Sequence, residues 1–178
     1  MAERTYHKFL IKQQTYNGLT YTDVGSVIDT KVKFGCVCKD SPFKYLPETK
    51  ELASRDWFDE DGEDVYFPAA RVIPCAAYDW EVSFLFTAST AALLRTNAKA
   101  FLQYVCGKKD SSDGTLSYSV CLAVYDEYTG IGRRGVYVKE VSPEVFVHDD
   151  GDADCVAEIK VTFRVTDPVT DITLTTSA

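Results

Sequence analysis

The chain has 178 residues, 46% of them hydrophobic, enough for one sizeable core and too few for two comfortable domains, so a single domain over 1–178 is expected. Its net charge is −8, and no cationic run exceeds the pairs Lys108–Lys109 and Arg133–Arg134. Clustered positive charge is what displaces counterions from phosphate, so tight nucleic-acid binding is excluded, although DNA could slide past a like-charged wall.

Aromatic content is 13%, with 11 Tyr and 10 Phe against one Met, which favours strands, where aromatic side chains pack on half-buried pleated surfaces. Tyr6, Phe9 and Ile11 predict a first strand over 5–13, and Asn17-Gly18 a turn. Residues 29–38 alternate, with Val32, Phe34 and Cys36 on one face, and predict a second strand. From 39 to 62 the period vanishes around Pro42 and Pro47, giving a long irregular loop of the kind that is functional or mobile. Short strands are expected at 65–67 and 71–73. A clear one is expected at 78–87, where Trp80, Val82, Phe84 and Phe86 share the inward face.

One helix is predicted, over 90–106. Ser89 or Thr90 can cap it, Leu93, Leu94, Ala98, Phe101, Leu102 and Val105 form an apolar stripe, and Gly107 stops it. Three long strands follow. The first alternates from Leu116 to Tyr125; the second covers 136–147 and bends at Ser142-Pro143, since proline donates no ladder hydrogen bond. The third, 155–166, turns Ala157, Ile159, Val161, Phe163 and Val165 inward, and a flexible tail is expected over 168–178. The fold class expected is mainly β: an antiparallel β-sandwich or open barrel with one flanking α-helix.

No constellation selects a reaction. Cys36, Cys38, Cys75, Cys106, Cys121 and Cys155 are even in number, but the chain is not a small secreted one, and Cys36-x-Cys38 has no second pair, so buried reduced thiols are expected in place of disulfides or zinc. The acidic runs 59–64 and 149–154 do not place oxygen ligands in the frame of a calcium-binding EF-hand loop; they read as solvated turns, with a loose surface calcium site as the alternative. His7 and His148 are expected at a strand and a turn, not as catalytic bases. The Gly130-Ile-Gly-Arg-Arg-Gly135 run lies between two strands, so it lacks the helix a phosphate cradle uses and reads as a hairpin loop whose Arg133 and Arg134 can meet an acidic neighbour. No catalytic, cofactor or metal residue is assigned, and an enzyme is not expected. No stretch approaches the ~18 to 20 apolar residues of a membrane span, and the first residues lack a signal's apolar core, so a cytoplasmic protein is expected.

The order of elements, from an N-terminal strand through the Trp80 strand and one helix to three long strands ending at Phe163-Arg-Val-Thr-Asp-Pro168, resembles the tail-tube fold of long-tailed bacteriophages. That family includes tail tube proteins, the N-terminal part of distal tail proteins and the tube proteins of contractile injection systems. The resemblance spans about 5–165. It implies a self-assembling structural subunit of a phage or prophage tail, located in the virion tail, forming hexameric rings with other tail proteins around passing DNA. It implies that the 39–62 loop makes subunit contacts and that acidic charge faces the channel. The alternative from a different class is a β-sandwich binding module, for example for carbohydrate, with Tyr45, Trp57 and Tyr66 as a stacking platform.

Overall fold

The computed structural model of the chain describes residues 6–56, 58, 61–68, 72–107, 121–142, 145–147 and 155–176. Among the described residues ten strands and two helices follow one another as β1 (Phe9–Tyr16), β2 (Tyr21–Asp29), α1 (Thr30–Phe34), β3 (Cys36–Asp40), β4 (Ser54–Asp56), β5 (Glu63–Val65), β6 (Tyr78–Ala88), α2 (Ala91–Cys106), β7 (Cys121–Asp126), β8 (Ile131–Val141), β9 (Val145–Val147) and β10 (Cys155–Val165). The protein is mainly β, as its composition and alternation predict.

The main sheet is antiparallel throughout, in the order β2-β1-β7-β8-β10-β6-β3, with β9 continuing the β8 side of β10. Four steps separate β1 from β6 along that order, about 19 Å if the sheet were flat. Yet the Phe9 ring of β1 lies 5.0 Å from the Phe84 ring of β6, centroid to centroid. The sheet therefore curls until its two ends face each other, giving an open barrel. Its interior holds Phe9, Ile11, Trp80, Phe84, Ile159 and Phe163, all essentially inaccessible to water.

Helix α2 packs on this core. Thr90 caps it, its Oγ1 accepting from the Leu93 N–H at 3.2 Å. Leu94, Ala98, Phe101 and Val105 are buried, whereas Leu93 and Leu102 of the expected stripe lie at its margins. Phe101 wedges between Phe34, Phe84 and Phe86, at ring distances of 5.6, 4.8 and 5.4 Å. Gly107 ends the helix with φ 78° and ψ 150°, a positive-φ extended conformation instead of the left-handed one expected.

Several boundaries differ from the sequence expectation. Residues 30–34 form a helical turn, not a strand: Asp29 accepts from the Lys31 N–H at 2.9 Å, and Gly35 stops the turn in the left-handed conformation (φ 65°, ψ 25°). Phe34 is thereby buried against α2, while Val32 is 79% exposed, so the two do not share a face. Strand β2, at the sheet edge, replaces what the sequence leaves unassigned after the Asn17-Gly18 turn. The first strand starts later than expected, at Phe9. The strand expected at 65–67 lies at Glu63–Val65, paired with β4 as a separate two-stranded hairpin; residues 72–74 form no strand. Of the strand expected from Leu116, β7 is the described part, and 108–120 lie outside the described residues. Strand β8 ends at Val141, after which the Ser142 N–H donates to the Lys160 carbonyl at 2.9 Å; Pro143 of the expected bend lies outside the described residues.

Candidate functional site

The run from Gly130 to Gly135 forms the turn into β8 and the first half of that strand. Both arginines find carboxylates in the segment after β10. Arg133 is almost wholly buried and pairs with Asp171, while Arg134 Nε donates to Asp167 Oδ2 at 2.8 Å. The Asp167 carboxyl is pushed up by burial, but hydrogen bonds from Arg134 and Thr170 outweigh that and hold it below its ordinary value. Ile172 N–H donates to the Gly132 carbonyl at 3.3 Å, and Leu174 packs with Leu10 and Ala123. The residues expected as a flexible tail thus run as a strap over the outside of β8, β7 and β1. The sequence reading of 130–135 as a hairpin loop is corrected, since the turn ends at Gly130 and Ile131–Gly135 pair within the sheet; its two cations do meet an acidic neighbour, which is the chain's own C-terminal segment.

The remaining chemically versatile side chains stay apart. His7 packs its ring on Tyr128 at 4.7 Å; His148 and the 149–154 run lie outside the described residues, as do Asp59 and Glu60 of the first acidic run. Cys36 is buried, its Sγ donating to the Thr30 carbonyl at 3.6 Å, and burial pushes the thiols of both Cys36 and Cys38 up to about 12. Cys75, Cys106, Cys121 and Cys155 are half-buried. Among the described residues no three His, Cys, Asp or Glu side chains converge as metal ligands. None of the helices described is long and apolar enough to cross a membrane.

A cleft of about 630 Å³ opens where β1 begins and β3 ends, lined by Tyr6, Val37, Cys38, Pro42, Phe43 and Tyr128 among others. Most of its polar atoms are already engaged. Tyr6 Oη donates to Asp29 at 3.0 Å, Ser41 Oγ accepts from Trp80 Nε1 at 3.2 Å, and Asp126 accepts from the Tyr128 N–H and Thr129 Oγ1, each at 3.0 Å. Of the stacking platform expected from sequence, Tyr45 is tied to the β7–β8 turn through the Thr129 carbonyl, and Tyr66 N–H is held by Ala53 at the base of the β4–β5 hairpin. Trp57 lies outside the described residues.

The most distinctive surface is the arm between β3 and β6, residues 41–77. Its two sides are tied at the Thr49–Cys75 bridge and at Lys50 N–H to the Pro74 carbonyl, 2.7 Å, and its hairpin stands apart from the main sheet. Leu46 is 90% exposed, and Phe58, Tyr66, Phe67 and Val72 are also largely in solvent. Between 41 and 77 the sequence carries eight carboxylates against four cations, a net −4 out of the chain's −8. By contrast, the outer face of β6, β10 and β8 neutralises itself: Asp79 meets Arg164 at 2.8 Å and Lys139 at 2.6 Å, Glu81 meets Lys160, and Glu158 meets Lys39 at 2.7 Å. The loss of period from residue 39 signalled this arm; its exposed apolar residues carry no sequence signal, since an apolar residue in an irregular stretch can equally be buried. No protein-family model matches the chain, and no curated protein matches it in sequence.

Proposed function

We propose that the protein is a structural, self-assembling subunit of a phage or prophage tail, a tail tube or distal tail component that builds rings around a DNA channel. The observation that carries this reading is the arm. Apolar side chains as large as Leu46, Phe58 and Phe67 standing in water on an extended, hairpin-bearing loop are a liability for a monomer and a contact surface for an assembly. Two further features support it. Among the described residues β2 and β3 are the edge strands of the main sheet, and β2 is exposed from Thr22 to Ser26, a position suited to strand addition. The acidic balance lets DNA pass without being gripped.

The glycan-binding alternative has the aromatic cleft in its favour. Sugar recognition needs unengaged polar groups beside the rings, and the Tyr6, Ser41 and Asp126 groups there already have partners. Negative-stain electron microscopy of the purified chain tests the assembly reading. Rings or tubes with an open channel are expected; separate single-chain particles together with binding on a glycan array would overturn it.

A further inference from the structure

The cleft where β1 begins and β3 ends contains a carboxylate whose charge is not balanced by a neighbouring cation. Asp126 is 3% exposed, and its two oxygens accept from neutral donors, the Tyr128 N–H and Thr129 Oγ1. Among the described residues no lysine or arginine forms an ion pair with it, and a buried charge is costly until an opposite one meets it. Asp40, in solvent, adds a second carboxylate to the same cleft. The two charges act at one place. Cys38 lies in the cleft wall, and after burial it is Asp126 and then Asp40 that push its thiol up. Nearby cations are committed elsewhere: Lys39, which also lines the cleft, is held by Glu158 at 2.7 Å, and Lys160, whose charge Asp40 stabilises, pairs with Glu81.

Aromatic rings supply much of the remaining wall. Tyr6, Phe43 and Tyr128 line the cleft, and Phe43 and Tyr128 stand partly or largely in solvent. The face of an aromatic ring is negative and attracts cations. Lys31 Nζ already stands 5.9 Å from the centre of the Tyr6 ring, although Lys31 is not part of the cleft wall. The rings are held in place. Tyr45 Oη donates to the Thr129 carbonyl at 3.3 Å, and Phe43 packs edge-on against Tyr45 at 4.5 Å, which ties the Phe43 side of the cleft to the turn that carries Tyr128.

We propose that this cleft binds a quaternary ammonium ion that carries an apolar group, its head in the field of Asp126 and Asp40 and against the rings of Tyr6, Phe43 and Tyr128. The hydrogen bonds already made in the cleft select this ion among cations. A primary ammonium is strongly hydrated and needs acceptors to replace its water, whereas the Asp126 oxygens already accept bonds. A quaternary ammonium has no N–H to satisfy and needs only negative charge and ring faces. The engagement that disfavours a sugar therefore suits this ion. At about 630 Å³ the cleft has room for an apolar body beside the head. This site does not depend on self-assembly and adds a ligand to it.

Isothermal titration calorimetry of the full chain tests the site with three probes that share one ring: benzyltrimethylammonium, benzylammonium and uncharged benzyl alcohol. The first is expected to bind with a Kd of about 1 mM or tighter. The other two are expected to bind at least about 10-fold more weakly, one for want of acceptors and one for want of charge. Asp126→Asn is expected to weaken benzyltrimethylammonium at least about 10-fold while leaving benzyl alcohol unchanged, because it removes the charge and keeps the shape. Asp126 also braces the turn, so a second variant, Asp40→Asn with Tyr128→Leu, changes only exposed positions and is expected to weaken the ion about 10-fold. Near-ultraviolet circular dichroism checks that each variant is folded. The proposal is overturned by an absence of saturable heat with benzyltrimethylammonium up to about 10 mM, by benzylammonium or benzyl alcohol binding as tightly, or by a folded variant of either kind that binds the ion as the wild type does.

Discussion

At position 132 an added methyl group would lie 2.1 Å from the Ile172 carbonyl oxygen and 2.9 Å from the Tyr125 ring, so only glycine lets the C-terminal strap reach β8. The first obstacle is backbone and cannot turn aside as a side chain would. Gly132→Ala is expected to lift the strap, exposing Leu174 and releasing Asp171 from Arg133, at a cost of roughly 1 to 3 kcal/mol, the usual range for overpacking a filled site. Urea unfolding read by tryptophan fluorescence checks the cost, and limited proteolysis checks its location. New cleavage confined to 166–176 is the expected pattern, and unchanged protection would contradict the strap's role. The run that holds Gly132 reads in sequence as a hairpin loop with two cations seeking carboxylates; the cations do find them, but residues from Ile131 on belong to strand β8 and only Gly130 lies in the turn. That the carboxylates are Asp167 and Asp171 was not legible, because a partner more than 30 residues away in sequence is fixed by the curl of the sheet and not by spacing.

Helix α2 and strands β6 and β10 were readable because each is long enough to show its period over several repeats. Helix α1 has five residues, too few for a 3.6-residue period to separate itself from alternation; its signals were the flanking Asp29 and Gly35, which cap it. Edge strand β2 escaped because its middle is exposed on both faces, leaving no apolar alternation to detect. The weight carried by α2 is concentrated in Phe101, which is fully buried among Phe34, Phe84 and Phe86. Phe101→Ala is expected to cost about 3 to 5 kcal/mol, the range for removing a buried ring and leaving a cavity. Because Phe101 joins both helices to the sheet, hydrogen exchange in the variant is expected to rise over α1 and α2 together; a rise in α2 alone would show that α1 is held by other contacts.

Among the described residues of the whole molecule, charge and exposure divide between an arm that is acidic and apolar and an outer sheet face that pairs its own charges. Net charge alone could not convey this, since a total of −8 fits an even distribution as well as a polar one. The fold class, an antiparallel β-sandwich or open barrel with a flanking helix, was legible from the sequence because alternation and one amphipathic stripe have few ways to bury themselves; the choice between the two was not. No described residue of the arm belongs to the buried core, and its exposed apolar side chains are the surface that the proposed association would cover. The most direct test of that association is the mass of the chain in solution, by light scattering over a wide range of protein concentration. The account predicts a mass rising to a ring-sized multiple of the 19.9 kDa chain as concentration increases. A mass that stays at that of one chain at every concentration would contradict it.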